Sequence, residues 1–184
     1  MLLRIEFFLR RALTIAGDRR LPQNAAGGSL DMTRAYDTDY TDDFLRAILR
    51  KVKTVAVVGA SANPERPSYE VAAFLMSRGY RVTGVNPGLA GQTILGAPFV
   101  ASLKDLPEPV DMIDIFRNSA AAGGVVHEVL PLDWRPLVIW MQLGVRNEPA
   151  AALAKAQGIE VIMNRCPKIE YSRLGLDRIG GEAD

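Results

Sequence analysis

Residues 55–58 form a continuous apolar run, Val-Ala-Val-Val, that stops at Gly59. A short run without alternation is typical of a strand that is covered on both faces of a parallel sheet. Residues 67–78 predict a helix, because Pro67 suits the first turn and Gly79 suits the end. Residues 81–86 predict a second strand, so the three segments together form one βαβ unit.

The same alternation continues along the rest of the chain. Further apolar runs predict strands, and the segments between them, with helical spacing or capping residues, predict helices. The predicted strands are 110–116, 137–141 and 159–163, with 93–100 as a weak edge strand or loop, and the predicted helices are 41–50, 119–130 and 148–157. This alternation predicts the α/β class, as a Rossmann-like three-layer domain with a mostly parallel sheet of five to six strands.

Residues 1–31 differ in composition from the remainder. Residues 1–30 contain five arginines and no lysine, and the segment ends in a loose stretch rich in alanine and glycine. An Arg-rich transit peptide would share this composition, but a disordered N-terminal extension is the simpler interpretation. We therefore expect a disordered extension over 1–31 and one Rossmann-like domain over 32–184.

The overall charge and the cysteine usage exclude several classes of protein. Lys plus Arg number 22 and Asp plus Glu number 21, which gives a formal net charge of +1. Proteins that grip nucleic-acid backbones are usually strongly basic, so we expect no nucleic-acid partner. Cys166 is the single cysteine, so no disulfide can form within the chain. No apolar stretch approaches the roughly 18 residues of a membrane span. We expect a soluble, cytoplasmic protein with no membrane partner.

The loop after the first strand has the composition of an anion site. In doubly wound sheets, ligands bind outside the carboxyl ends of the strands, where the strand order reverses. Glycine allows a close backbone approach there, hydroxyl groups donate hydrogen bonds, and the N-terminus of the next helix favours a phosphate. The candidate binding residues in this segment are Gly59, Ala60, Ser61, Asn63, Arg66, Pro67 and Ser68.

This loop is not the dinucleotide fingerprint G-x-G-x-x-G, because Ser61 and Pro64 stand where the later glycines belong. The second strand ends in Asn86 and Pro87 rather than in the acid that usually binds the ribose of NAD. Arg66 adds a cation that suits an extra phosphate group. Coenzyme A (CoA) and NADP both carry such a phosphate, so these residues leave the two ligands open.

Several separated segments give the chain a specific resemblance. They are residues 57–61, 66–68, 79–82, 85–87, 110–117, 140–145 and 164–167. In this order they resemble the CoA-binding domain family, whose stand-alone members are similar to the N-terminal domain of the succinyl-CoA synthetase α subunit. The resemblance covers about residues 44 to 175. One departure is Asn164, where relatives more often carry aspartate, and this leaves an acid–base role at that position without support.

The resemblance implies a CoA site and assigns residues to it. Gly59, Ala60, Ser61 and Arg66 would surround the nucleotide phosphates, and further contacts would come from the ends of later strands. Those further residues are Asn86, Pro87, Phe116, Arg117, Met141 and Gln142, with Trp140 beside them.

The resemblance implies a module that binds CoA or an acyl-CoA, with no evident catalytic residues and no metal ligands. Two alternatives stay open: an NADP-dependent oxidoreductase, and the CoA-binding component of a CoA ligase or transferase complex with an unidentified protein partner. His127 is expected to be an ordinary surface histidine. Cys166 follows the last strand, where a mixed disulfide with the thiol of CoA is chemically possible, although a packing role is the simpler expectation.

Overall fold

The computed structural model describes residues 40–178. The boundary that the sequence predicts between residues 31 and 32 lies outside the described residues. The helices are α1 (Asp42–Lys51), α2 (Pro67–Ser77), α3 (Ser119–Val129), α4 (Glu148–Ala156) and α5 (Pro167–Arg173). The strands are β1 (Thr54–Val58), β2 (Arg81–Val85), β3 (Thr93–Ile94), β4 (Ala97–Val100), β5 (Met112–Ile115), β6 (Val138–Met141) and β7 (Glu160–Ile162).

The strands form one seven-stranded sheet in the order β3-β4-β2-β1-β5-β6-β7. Every neighbouring pair is parallel except β3 and β4. Without the antiparallel edge strand β3, this is the common order of doubly wound dinucleotide-binding sheets. The chain runs outward from β1 on one side and returns to β5 on the other, so the strand order reverses between β1 and β5. The α/β class and the mostly parallel sheet are confirmed.

Helices cover both faces of the sheet and produce the predicted three layers. On one face α1, α2 and α5 contribute Leu45, Leu75 and Tyr171 to a buried apolar cluster. On the other face α3 and α4 contribute Val126 and Ala154 to a second cluster. All five residues of β1 are buried, as expected for a central strand between two helical layers.

The sheet has seven strands instead of the predicted five to six. Residues 93–100, expected as one weak edge strand or loop, form the hairpin of β3 and β4. Its two-residue turn, Leu95 and Gly96, has positive φ at both positions, which is the geometry that fits tight hairpins. Helix α5 is a further element that the sequence pattern did not predict. Among the described helices, none has the length and apolarity needed to cross a membrane.

Candidate functional site

Gly59 lies at the reversal point of the sheet, where the backbones of three strands converge. Its N–H donates a hydrogen bond to the carbonyl oxygen of Val85 at 3.0 Å. The N–H of Phe116 donates to the carbonyl oxygen of Val58 at 2.8 Å. The φ angle of Gly59 is +84°, and a Cβ atom there would lie 2.5 Å from the carbonyl oxygen of Phe116. The end of β5 therefore approaches this loop at a distance that only glycine allows.

The loop after Gly59 is held by its own polar side chains. The Oγ atom of Ser61 accepts a hydrogen bond from the N–H of Asn63 at 3.1 Å, and the Oδ1 atom of Asn63 accepts from the N–H of Glu65 at 2.9 Å. The backbone N–H groups of Ala60, Ser61 and Ala62 have no acceptor among the described residues. Free amides at a strand–helix junction are suited to a phosphate.

Helix α2 begins directly after this loop and leaves its first turn open. Arg66 occupies the N-cap position without a side-chain hydrogen bond to the helix, and Pro67 follows at the first helical position. Since no side chain caps the helix, its positive end is available to an anion.

Asn86 braces the first loop against the second one. Its Nδ2 atom donates to the carbonyl oxygen of Ala60 at 2.8 Å, and its Oδ1 atom accepts from the N–H of Gly88 at 2.9 Å. Both polar ends of the side chain are therefore used inside the protein. Asn86 shapes the site, and direct contact with a ligand stays a prediction.

A large cleft opens beside Gly59 on the α3 side of the sheet. Its volume is about 690 Å³, and we call it the α3 cleft. The residues that define it chemically are Gly59, Pro87, Ser102, Lys104, Arg117 and His127. The cleft gives a ligand close access to the backbone at Gly59 and places cationic side chains beside it, as a site for a phosphorylated ligand requires.

A second cleft of about 500 Å³ opens on the other side of the β5 end, between α2 and α5, and we call it the α5 cleft. Arg117 lines both clefts. The residues that define the α5 cleft are Val71, Phe116, Gln142, Leu143, Cys166 and Ile169. Arg117 follows β5 by two positions, so one arginine side chain borders both clefts.

The structure brings many of the predicted site residues to these two clefts. Those that line one or both are Gly59, Pro67, Pro87, Phe116, Arg117 and Gln142. Ala60, Ser61 and Ser68 line a small crevice of about 10 Å³ under the loop instead. Asn63, Arg66, Asn86 and Met141 do not line either cleft. Arg66 is exposed at the start of α2.

Two predicted residues at the end of β6 have different surroundings. Met141 is fully buried in the core on the α3 and α4 face, a position that does not favour contact with a ligand. Gln142 lines the α5 cleft and donates its Nε2 hydrogen to the Oδ1 atom of Asp114 at 2.8 Å. Trp140 is a core residue whose Nε1 atom donates to the carbonyl oxygen of Arg165 at 2.9 Å.

Asp114 is a fully buried carboxyl group in the middle of the sheet. Its Oδ2 atom has no hydrogen-bond partner among the described residues. Burial raises the pKa of Asp114 to about 7, and the hydrogen bond from Gln142 opposes that rise. Asp114 is therefore protonated over a far wider range of pH than an exposed aspartate.

The residues that line the clefts and that sequence reasoning missed include Lys104, His127, Leu143 and Ile169. His127 is exposed, as expected of a surface residue, but it also faces the α3 cleft. One signal was available: Ala121, Gly124 and Glu128 recur at helical spacing and share the cleft with it. Small residues at such positions leave room beside a helix, and a Cβ atom on Gly124 would meet nothing within 4 Å.

Cys166 and Asn164 have surroundings that explain them structurally. The Cys166 thiol lines the α5 cleft, but the residue is buried, and burial raises its pKa. Asn164 has a positive φ of 54°, and its Oδ1 atom accepts from the N–H of Gly144 at 2.8 Å. Asparagine tolerates this backbone region better than most residues.

In the part of the chain that the structure describes, no group of three or more His, Cys, Asp or Glu side chains could hold a metal ion.

The geometry agrees with a comparison against protein families. Residues 53–172 match the model of the CoA binding domain. This protein belongs to the CoA-binding domain family. The match begins at the residue before β1 and ends within α5, so it includes both clefts and the whole parallel sheet.

Similar proteins and structures come from several organisms. The chain is 37% identical over 128 residues to the uncharacterized protein YneT of Bacillus subtilis, and the alignment covers 70% of this chain and 92% of YneT. A Thermus thermophilus protein solved as cell-free ID.343 has 42% identity and a TM-score of 0.69, with 73% of this chain and 99% of that one covered. A hypothetical protein of Pyrococcus horikoshii OT3 has 31% identity and a TM-score of 0.68, with 75% and 94% covered. The regions of similarity thus extend over nearly the full length of these proteins.

Proposed function

We propose that this CoA-binding domain protein is a non-catalytic module that binds CoA or an acyl-CoA at the junction of β1 and α2. The observation that carries the proposal is the position of Arg117. It stands beside Gly59 and lines both the α3 cleft and the α5 cleft. A guanidinium at this point can hold a phosphate group of a ligand that extends into both clefts.

The chemistry of the α3 cleft suits the nucleotide half of CoA. CoA carries a diphosphate and a separate 3′-phosphate, and the cleft offers the cationic side chains of Arg117 and Lys104. The free amides of Ala60 and Ser61 add hydrogen-bond donors near the β1–α2 junction. Charge-assisted hydrogen bonds to phosphate are stronger than neutral ones, so these groups together favour a polyphosphorylated ligand.

Calorimetric titration of the full chain with CoA tests this function. We expect saturable binding, and Arg117→Ala should weaken it about tenfold or more, because a hydrogen bond to a charged group contributes about 1.5–3 kcal/mol. Arg81→Ala is the matched control, since Arg81 is an exposed arginine at the amino end of β2 with an ion pair to Glu108. It should leave the affinity within about twofold, as exposed pairs contribute little.

NADPH provides the competing arm of the same experiment. It shares the adenosine, the diphosphate and an additional phosphate, but it lacks the pantetheine chain of CoA. Binding of NADPH in the absence of CoA binding would contradict the proposal and favour an oxidoreductase.

A further inference from the structure

The α5 cleft is lined by large apolar side chains that are exposed to solvent. The exposed large apolar side chains in the described part of the chain are Leu95, Leu143, Leu153 and Ile169, and two of them, Leu143 and Ile169, line this one cleft. They are 48% and 36% exposed and come from different segments, the loop after β6 and helix α5. Apolar side chains that converge on a cleft mark a site for an apolar group.

The apolar surface continues into the walls of the α5 cleft. Val71 of α2, Phe116 at the end of β5 and Val145 after β6 line the same space. The volume of about 500 Å³ is within the range of small-molecule sites, which is roughly 300–1,000 Å³. Helix α2, helix α5 and the end of the sheet together enclose a mostly apolar recess.

The α5 cleft is also the natural continuation of the proposed phosphate site. Arg117 borders both clefts, so a ligand whose phosphates lie beside Arg117 at the Gly59 loop is adjacent to the α5 cleft. In doubly wound folds the reactive end of the ligand lies past the pyrophosphate, across the reversal point of the sheet. In this protein that direction runs from Gly59 across the carboxyl ends of β5 and β6, whose following residues line the α5 cleft.

We propose that the α5 cleft binds the acyl chain of a CoA thioester, and that the preferred ligands are thioesters of uncharged, apolar acyl groups. This inference rests on the proposed function. It adds the chemical class of the group attached to the CoA thiol.

The two cationic side chains that line the cleft already have partners, which disfavours an acyl group with a free carboxylate. Arg117 is assigned to a phosphate of CoA. Lys168 is ion-paired with Glu70 across the space between α5 and α2, and both residues line the cleft. A carboxylate on the acyl chain would compete with Glu70 for this ammonium group. Burying a charge without its own partner is costly, so succinyl-CoA should bind less well than butyryl-CoA.

Cys166 suits a binding role in this cleft. Its thiol lines the cleft, yet burial raises its pKa. Because the thiolate is the nucleophile, a thiol of raised pKa attacks a thioester slowly at neutral pH. A bound acyl group would therefore remain on CoA.

The test is a series of calorimetric titrations of the full chain with CoA, butyryl-CoA, hexanoyl-CoA and succinyl-CoA. Each buried methylene contributes up to about fourfold in affinity, so butyryl-CoA should bind at least about tenfold more tightly than CoA. Hexanoyl-CoA should bind at least as tightly as butyryl-CoA, and succinyl-CoA about tenfold less tightly than butyryl-CoA. Equal affinities for CoA and the two apolar thioesters would overturn the inference while leaving CoA binding intact.

Variants locate the acyl group. Leu143→Ser combined with Ile169→Ser should reduce the ratio of butyryl-CoA to CoA affinity to below about threefold, with both affinities measured on the same variant. Leu153→Ser is the matched control, because Leu153 is 44% exposed on α4 and does not line the cleft. A ratio that survives the double substitution would place the acyl chain elsewhere and overturn the inference. Failure of the wild-type protein to bind any of the four ligands would instead contradict the proposed function.

Discussion

At the scale of single residues, Gly59 connects the fold to the site most directly. It combines a positive φ with a close approach to the backbone of Phe116. The sequence alone predicted a glycine-dependent turn here from the apolar run that ends at this position. It could not predict which backbone atom would approach it, because that atom belongs to Phe116, which directly follows β5 and lies more than fifty residues later in the chain.

Gly59→Ala is expected to destabilise the protein more than an alanine at another glycine of positive φ. Gly91 provides the comparison, since its φ is +81° and a Cβ atom there would meet nothing within 4 Å. Gly91→Ala should cost about 1–2 kcal/mol, which is the usual penalty of left-handed backbone for alanine. Gly59→Ala should cost at least about 1 kcal/mol more, because its Cβ would clash with backbone. Denaturant unfolding of both variants measures this difference, and equal losses would contradict the close packing described.

Asp114 gives the stability of the protein a specific dependence on pH. Burial raises its pKa to about 7 in the folded state, whereas an aspartate in the unfolded chain titrates near 3.9. Between these values the folded state binds more protons than the unfolded state. The free energy of unfolding contributed by this residue therefore falls as the pH rises from about 4 to about 7, and it is constant above that range.

Asp114→Asn should remove this dependence. We expect the wild-type protein to lose up to about 4 kcal/mol relative to the variant when the pH is raised from 4 to 8. Urea unfolding of both proteins across this range provides the measurement. Parallel pH profiles of the two proteins would show that Asp114 does not titrate as its burial requires.

At the scale of elements, α5 is the helix that the sequence pattern failed to predict. It has seven residues and follows a short loop after β7, so it is too short for a clear helical periodicity. Its position depends on long-range contacts instead. Lys168 pairs with Glu70 of α2, and Arg173 pairs with Asp42 of α1 at 2.8 Å. The buried Glu170 pairs with Arg173 and holds it beside Asp42, and it also pairs with Arg165. Tertiary contacts of this kind cannot be inferred from local spacing.

Glu170→Gln should destabilise the protein by about 3–5 kcal/mol, because it removes the negative charge of a fully buried carboxylate that forms ion pairs with Arg165 and Arg173. Glu148→Gln is the control, since Glu148 pairs with Arg146 at 3.1 Å on the surface. That substitution should cost less than about 1 kcal/mol. Thermal unfolding of the two variants distinguishes them, and similar shifts in melting temperature would mean that the buried pair does not hold α5.

The helices and strands that the sequence did predict share one property. Their signals are local: the apolar run of β1, the proline at the start of α2 and the capping asparagine before α4 are all visible within a few residues. The hairpin of β3 and β4 lacks such a signal, because Leu95 is an unusual residue for a turn with positive φ. The predicted strand count was therefore too low at this edge of the sheet.

At the scale of the whole molecule, the parallel sheet decides which residues meet. The carboxyl ends of β1, β2 and β5 lie side by side in the sheet order, and this arrangement follows from the predicted βαβ alternation. It brings Gly59 and Arg117 together, as the family resemblance implied. The clefts on either side depend on helix faces and on the loops after β4 and β6, and this is why Lys104, His127 and Leu143 were not predicted.

The proposed function requires that CoA bind at the carboxyl ends of β1 and β5. A titration of the full chain with CoA, followed by two-dimensional amide NMR, tests it most directly. We expect saturable shifts for the amides of Ser61, Arg117 and their neighbours. We expect none for the amides of Arg81 and Asp111, which lie at the amino-terminal ends of β2 and β5, on the opposite side of the sheet from the site. An unchanged spectrum, or shifts confined to that opposite side, would contradict the proposed function.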